Sequence, residues 1–99
     1  MFEILFAQDV EKDLKKLTAY HRKTVLDAIE IRLTNQPSVP TRNRKMLVNL
    51  IPPWSADPPI WELRIGEFRV FYDVSEEKRV VIVRVIRRKP RGRMTDQIL

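Results

Sequence analysis

Residues 61–74, WELRIGEFRVFYDV, decide the fold, because two alternating runs flank Gly66-Glu67. A two-residue loop that starts with Gly predicts a type II′ hairpin turn, since Gly accepts the required positive φ without strain. Side chains alternate across a strand, so the hairpin has two distinct faces. The predicted apolar face holds Trp61, Leu63, Ile65, Phe68, Val70, Tyr72 and Val74. The second face holds Glu62, Arg64, Arg69, Phe71 and Asp73.

The predicted register pairs Ile65 with Phe68, Leu63 with Val70, and Trp61 with Tyr72. It also places Arg64 directly opposite Arg69. Like charges in that position are unfavourable on the scale of cross-strand pairs, about 0.2–1 kcal/mol. Either both arginines are solvated, with Glu62 and Asp73 nearby to reduce the repulsion, or both point at an anion. The pair by itself favours the solvated alternative.

The composition predicts one small globular domain over residues 1–99, with 43% hydrophobic and 32% charged residues. No apolar run reaches the length of a membrane span, and the first residues do not form a secretory signal, so we expect a cytoplasmic protein without membrane contact. The absence of cysteine excludes disulfides and thiol catalysis. The single histidine, His21, argues against a zinc site. We therefore expect neither a metal nor a cofactor.

The positive charge is concentrated in the second half of the chain. Residues 1–41 carry six basic and six acidic side chains, whereas residues 42–99 carry thirteen and seven, which accounts for the net charge of +6. Six of the ten residues in 84–93 are basic. A basic field of this kind favours a polyanion partner, chiefly nucleic acid. A tail that only confers solubility, or an acidic protein partner, would also account for it.

The rest of the chain predicts short elements of alternating type. Periodicity predicts strands over residues 2–7, 45–50 and 79–88. Asp9 as an N-cap, with Glu11 and Asp13 as favourable charges near the helix start, predicts a helix over residues 9–18. An apolar stripe predicts a second helix over residues 20–34, which the proline at position 37 ends, and its members are Val25, Ala28, Ile29 and Leu33, with Leu26 beside them. Strict alternation in the last strand puts Val81, Val83, Val85 and Arg87 on one face. It puts Val80, Ile82, Arg84, Ile86 and Arg88 on the other. The proline-rich residues 51–59 form a loop, in which Trp54 is expected to cover an edge of the core, with a stacking role as the alternative.

The order β-α-α-β-β-β predicts an α+β fold, with an antiparallel-rich sheet of four to five strands and an N-terminal helical hairpin packed on one face. With this order, the ELRIGEFRVFYDV hairpin and the closing VVIVRVIRRK strand resemble the RelE/ParE family of bacterial toxins from type II toxin–antitoxin modules. The resemblance covers nearly the whole chain. Its most specific parts are the hairpin and the final basic segment.

The resemblance implies a small cytosolic toxin that a cognate antitoxin neutralises. RelE-type members enter the ribosome and cleave mRNA without a metal, through attack of a ribose 2′-hydroxyl on the adjacent phosphate. ParE-type members share the fold and inhibit DNA gyrase. An endoribonuclease is the leading interpretation. A ParE-like toxin that acts on gyrase, and an inactive member that only binds antitoxin, remain alternatives.

The resemblance assigns roles to particular residues. Arg69 and Arg88 match the two arginines that RelE-type enzymes use on the phosphate, and arginine suits that role because it stays charged and can hold two phosphate oxygens. The predicted contacts to RNA or ribosome are Arg64, Lys45, Arg87, Lys89 and Arg91. The positions of the family's catalytic lysines read Ile60 and Glu62, and the region of its C-terminal tyrosine reads Met94-Thr95. The general acid and base are therefore unassigned.

Overall fold

A computed structural model describes residues 1–89, which form two helices and a five-stranded sheet. The elements are β1 (Glu3–Phe6), α1 (Val10–Lys15), α2 (Ala19–Leu33), β2 (Arg44–Leu47), β3 (Ile60–Ile65), β4 (Phe68–Ser75) and β5 (Val80–Arg88). The strand order is β1-β5-β4-β3-β2, with β1 parallel to β5 and all other pairs antiparallel. The predicted α+β class and antiparallel-rich sheet are confirmed.

The β3–β4 hairpin has the predicted turn and register. Gly66 has a φ of +58°, and Glu67 does not share this left-handed conformation, as a type II′ turn requires. Trp61 lies opposite Tyr72 and Arg64 opposite Arg69. The alternation of apolar side chains and one correctly placed glycine were therefore sufficient to fix the register.

The two helices differ in how well the sequence predicted them. Three buried side chains of α2, Val25, Ile29 and Leu33, confirm the predicted apolar stripe and pack against the apolar face of the sheet. Helix α2 begins where the backbone N–H of His21 donates to Thr18 Oγ1 (3.2 Å). Helix α1 has only six residues, fewer than predicted, and the Asp9 side chain makes no capping hydrogen bond.

Strand β2 is displaced from its predicted position. It begins at Arg44, which the sequence assigned to the preceding loop, and ends at Leu47, before the left-handed Asn49 (φ +59°) interrupts the extended chain. The Arg44 side chain is buried, and it donates to the carbonyls of Arg32 and Val39. Arg44 therefore ties the C-terminal end of α2 and the following loop to the sheet edge.

The predicted faces of β5 are wrong beyond Val83, because the strand contains a bulge. Tyr72 pairs with Val83 and Phe71 with Val85, so Arg84 is an extra residue without a partner on β4. The bulge shifts the alternation by one residue. Ile86 therefore joins Val81 and Val83 in the core against the helices, whereas Val85 lies opposite Phe71 on the second face.

Three charged residues of the second face are buried, whereas the sequence left the arginines of this face either solvated or directed at an anion. Glu62 is 4% exposed, Arg69 7% and Asp73 2%. The proline-rich loop lies over part of this face, where the Trp54 ring packs on Phe71 with 5.4 Å between centroids. This contact confirms that Trp54 covers an apolar surface. Within residues 1–89, no helix combines the length and apolar character needed to span a membrane.

Candidate functional site

Three arginines form a row across neighbouring strands at one end of the sheet. Arg69 on β4 lies between Arg64 on β3 and Arg87 on β5, and each pair occupies directly opposed positions. Adjacent strands are about 4.8 Å apart, so the three arginines start from neighbouring backbone positions, and the charge of Arg64 acts on Arg69. Like charges at directly opposite positions destabilise the pairing of the two strands, by about 0.2–1 kcal/mol for each pair. An anion bound to the row would remove that cost.

Arg69, at the centre of the row, is held by its own hairpin. Its Nη1 donates to the carbonyls of Gly66 (2.8 Å) and Phe68 (2.9 Å), and it is 7% exposed. Its Nε is buried without a hydrogen-bond partner in residues 1–89. Burial, and then the charge of Arg64, lower the pKa of Arg69, whereas Glu62 acts in the opposite direction. The Arg69 guanidinium is thus held in one orientation by its own hairpin, and its Nε keeps an unused donor.

Arg87 is positioned by Asp13, a residue whose role the sequence analysis missed. Arg87 Nη1 donates to Asp13 Oδ1 (3.1 Å), and the backbone N–H of Ile86 donates to Asp13 Oδ2 (3.0 Å). The sequence predicts Asp13 only as a favourable charge near the start of α1. A signal was present, because Asp13 shares the helical stripe of Val10, Leu14 and Leu17 and therefore had to face the interior.

The structure separates Arg88 from Arg69. Arg88 lies opposite Phe68, on the side of the sheet that faces the helices, and its Cζ lies 5.2 Å from the centre of the Phe68 ring. Its Nη2 is 3.3 Å from Glu67 Oε1, and both side chains are about half exposed. The neighbour of Arg69 on β5 is Arg87, so the two arginines predicted to hold one phosphate do not share a row.

The other predicted contact residues have mixed surroundings. Lys45 Nζ lies 3.6 Å from the buried carboxylate of Glu62, which places a lysine amino group on the second face from β2. Arg64 is exposed, and its side chain forms no ion pair within the described part of the chain. The backbone N–H of Lys89 donates to the Glu67 carbonyl (2.7 Å). Arg91 and the Met94-Thr95 region lie outside the described residues.

No general acid or base for the row emerges among residues 1–89. Tyr72 is fully buried, and its hydroxyl donates to the Pro37 carbonyl (2.7 Å). Burial raises the pKa of Tyr72, and the charge of Arg44 opposes that shift. Tyr72 therefore belongs to the core, as the sequence indicated. No cluster of three or more histidine, aspartate or glutamate side chains in this part of the chain is arranged to hold a metal ion.

Comparison with solved structures shows the fold of RelE toxins. The chain is similar to the archaeal RelE–RelB complex of Pyrococcus horikoshii, with 24% identity, a TM-score of 0.70 and coverage of 94% of this chain and 98% of that one. It is also similar to the isolated Escherichia coli RelE toxin, with 18% identity, a TM-score of 0.70 and coverage of 98% and 94%. The Mycobacterium tuberculosis toxin–antitoxin complex RelBE2 matches with 19% identity, a TM-score of 0.72 and coverage of 89% and 98%.

No curated protein matches the chain in sequence. The model of one protein family does match it, over residues 4–91, and its description is the ParE toxin of the parDE type II toxin–antitoxin system. This match spans nearly the whole chain, including the hairpin, the arginine row and β5. The chain therefore belongs to the ParE toxin family of type II toxin–antitoxin systems.

Proposed function

We propose that this toxin is an endoribonuclease that cleaves mRNA on the ribosome and thereby stops translation in the cytoplasm. The observation that carries the proposal is the row of Arg64, Arg69 and Arg87 on three adjacent strands. Arg87 already has Asp13 as a partner, but the opposed Arg64 and Arg69 repel each other unless an anion binds there, and the phosphodiester of an RNA strand is an anion of suitable shape. Residues 1–99 would act as one domain.

The proposed reaction is an in-line attack by a ribose 2′-hydroxyl on the adjacent phosphate, which breaks the bond to the 5′-oxygen of the next nucleotide. Negative charge accumulates on the phosphoryl oxygens in the transition state. Arg69 suits its stabilisation, because a buried, pre-oriented guanidinium acts in a low dielectric and does not need to reorganise. Arg87 would assist from β5, and Arg88 and Lys89 would hold the strand beyond the row.

The proposed protein partner is a cognate antitoxin. The matched Pyrococcus horikoshii and Mycobacterium tuberculosis structures are complexes of a toxin with an antitoxin. An acidic antitoxin segment that covers the arginine row would offset the positive charges there. It would also exclude RNA from the same surface. Toxicity and antitoxin binding would then compete for one set of cations.

Inhibition of DNA gyrase is the second candidate function. It is favoured by the description of the matching family model, which names ParE toxins. It is also favoured by the two buried residues, Ile60 and Glu62, at the positions where RelE-type nucleases place their lysines. In this case the cationic row would contact an anionic surface on gyrase rather than a scissile phosphate.

Mapping of mRNA 5′ ends by primer extension after induction of the toxin tests the proposal. We expect new cuts within translated messages, loss of those cuts in Arg69→Ala, and wild-type cutting by the control Lys23→Ala, which removes an exposed lysine paired with Asp27 on α2. A supercoiling assay with purified gyrase runs in parallel. Growth arrest with intact messages and inhibited supercoiling would replace the nuclease with the gyrase inhibitor, and harmless expression would leave an inactive antitoxin-binding member.

A further inference from the structure

A chain of ring contacts lies at the start of α2, on the side of the sheet that faces the helices. The Tyr20 and His21 rings are edge to face with 5.4 Å between their centres, and the His21 ring lies 5.1 Å from that of Phe68. The Arg88 guanidinium lies over the other end of this chain, 5.2 Å from the centre of Phe68. Phe68 is buried, whereas Tyr20 is 75% exposed, so the chain of rings runs from the core to the solvent.

A cleft of about 360 Å³ lies between the α1–α2 turn and the end of β5, and Arg88, which lies over the Phe68 ring, is part of its lining. Its lining includes the cationic residues Lys16, Arg87 and Arg88. The one carboxylate in its lining, Asp13, already accepts hydrogen bonds from the Ile86 backbone and the Arg87 side chain, so Arg87 balances its negative charge. The cleft therefore presents an excess of positive charge.

The contacts of Arg88 leave it available to a ligand. Its ion pair with Glu67 joins two half-exposed side chains over 3.3 Å, and such surface pairs contribute little to stability. Lys16 is exposed and forms no ion pair in the part of the chain that the structure describes. Both cations can therefore turn to a phosphate without breaking a buried interaction.

Neither the fold nor the arginine row accounts for Tyr20. With three quarters of its surface exposed, the ring adds little to the core, and Tyr is a weaker helix former than the charged residues usual at such positions. Proteins that bind single-stranded nucleic acid combine exposed aromatic rings with lysine and arginine side chains, and here Tyr20 is linked to Arg88 through the rings of His21 and Phe68. The ring stacks on a base of any type, and the cations follow the backbone.

We propose that Tyr20 and His21, together with Lys16 and Arg88, form a second binding site for single-stranded RNA, which adjoins the arginine row at Arg87. A base stacks on the exposed Tyr20 ring, and an adjacent phosphate enters the cleft between Lys16 and Arg88. The inference extends the proposed function, because it adds a contact for the same class of substrate. A strand that occupies both sites would pass along the end of β5, where Arg87 belongs to the row and also lines the cleft beside Arg88.

The test is fluorescence anisotropy with a labelled ten-nucleotide single-stranded RNA in which every 2′-hydroxyl is methylated. This probe cannot undergo 2′-hydroxyl attack, so the assay measures binding alone. We expect Tyr20→Ala to weaken binding about tenfold, within the range that one stacked base provides, and Tyr20→Phe to stay within about twofold of wild type. Lys16→Ala should reduce the slope of log affinity against log salt by about 0.7, which corresponds to one lost contact with single-stranded RNA.

Two matched controls lie on the same helix. Ile31→Ala removes a side chain that is as exposed as Tyr20, and Lys23→Ala removes an exposed lysine. Both should bind the probe like the wild-type protein, and thermal unfolding should show that every variant is folded. Equal binding by Tyr20→Ala and wild type, no binding by wild type, or tighter binding of an acidic peptide than of the probe would each overturn the site.

Failure of this site and failure of the proposed function give different results. If mRNA is cut but Tyr20→Ala binds the probe normally, the second site is wrong and the nuclease stands. If binding depends on Tyr20 but no mRNA is cut, the second site stands and the nuclease is wrong.

Discussion

Replacement of Asp73 by alanine should be the most destabilising loss of a single polar side chain on the second face of the sheet. The Asp73 carboxylate accepts Arg84 Nε (2.6 Å) and Nη2 (3.2 Å), and also the backbone N–H of Asp57 (3.3 Å). The Asp73 side chain is 3% exposed and that of Arg84 is 16% exposed. Asp73→Ala would leave a largely buried guanidinium without its main partner, which costs about 3–5 kcal/mol.

Urea denaturation followed by circular dichroism measures this cost. A domain of this size unfolds with an m-value near the lower end of about 1–3 kcal/mol/M, so a loss of about 3 kcal/mol should lower the midpoint by about 2–3 M. The matched control is Glu67→Ala, which removes the partner of Arg88 from a pair that is half exposed. The control should cost no more than about 1 kcal/mol. If Asp73→Ala lowers the midpoint no more than Glu67→Ala does, the reasoning from burial is wrong.

Substitutions at three further positions separate core, turn and titration effects. Phe68→Ala should lower the free energy of unfolding by about 3–5 kcal/mol in the same denaturation assay, because the ring is buried. Gly66→Ala meets no atom within 4 Å, so its cost should be only the left-handed backbone, about 1–2 kcal/mol, and Gly66→Asn should recover part of it. Tyr72 keeps its proton in the folded state above the pH at which the unfolded phenol loses it, since burial raises its pKa. Wild-type stability should therefore fall as the pH rises above about 10, and Tyr72→Phe, at a cost of about 1–3 kcal/mol, should lose that part of the pH dependence.

The sequence was sufficient to predict an element of the fold wherever a periodic pattern of apolar residues ended at a residue that clearly breaks regular structure. Alternation around Gly66 predicted the hairpin and its register, and the stripe from Val25 to Leu33 predicted the buried face of α2. Both patterns are local, so no knowledge of the remaining chain was needed. The end of β2 was missed because left-handed Asn49, rather than a proline, interrupts it, and asparagine adopts that conformation only in some contexts.

The candidate site was less predictable, because its geometry depends on contacts between distant residues. Asp13 and Arg87 are 74 positions apart in the sequence, and no local pattern indicates that they form a pair. The burial of Arg69 depends on what lies around the second face of the sheet, and the sequence of β4 alone does not determine it. The proline-rich loop has no periodicity from which its course over that face could be deduced. The sequence therefore identified the cations but not which of them lie together.

The bulge at Arg84 explains which arginines share the row. Under strict alternation from Val83, which pairs with Tyr72, Arg69 would lie opposite Ile86, and the row would contain two arginines. The single extra residue brings Arg87 opposite Arg69 and moves Ile86 into the core. Asp73 binds the side chain of the bulged residue Arg84, so we expect this buried ion pair to hold the bulge that builds the row.

This dependence predicts that stability and toxicity can be separated. The double variant Asp73→Leu/Arg84→Met replaces the buried pair with apolar side chains, which is often neutral or stabilising, so it should regain most of the stability that Asp73→Ala loses. If the ion pair specifies the bulge, the double variant should still lack growth arrest and mRNA cuts, because Arg87 no longer faces Arg69. The comparison uses the urea midpoint and the primer-extension pattern of the same three proteins. A double variant that is both stable and fully toxic would show that the bulge forms without the pair, and that Arg84 is an extra residue whose charge has no part in building the row.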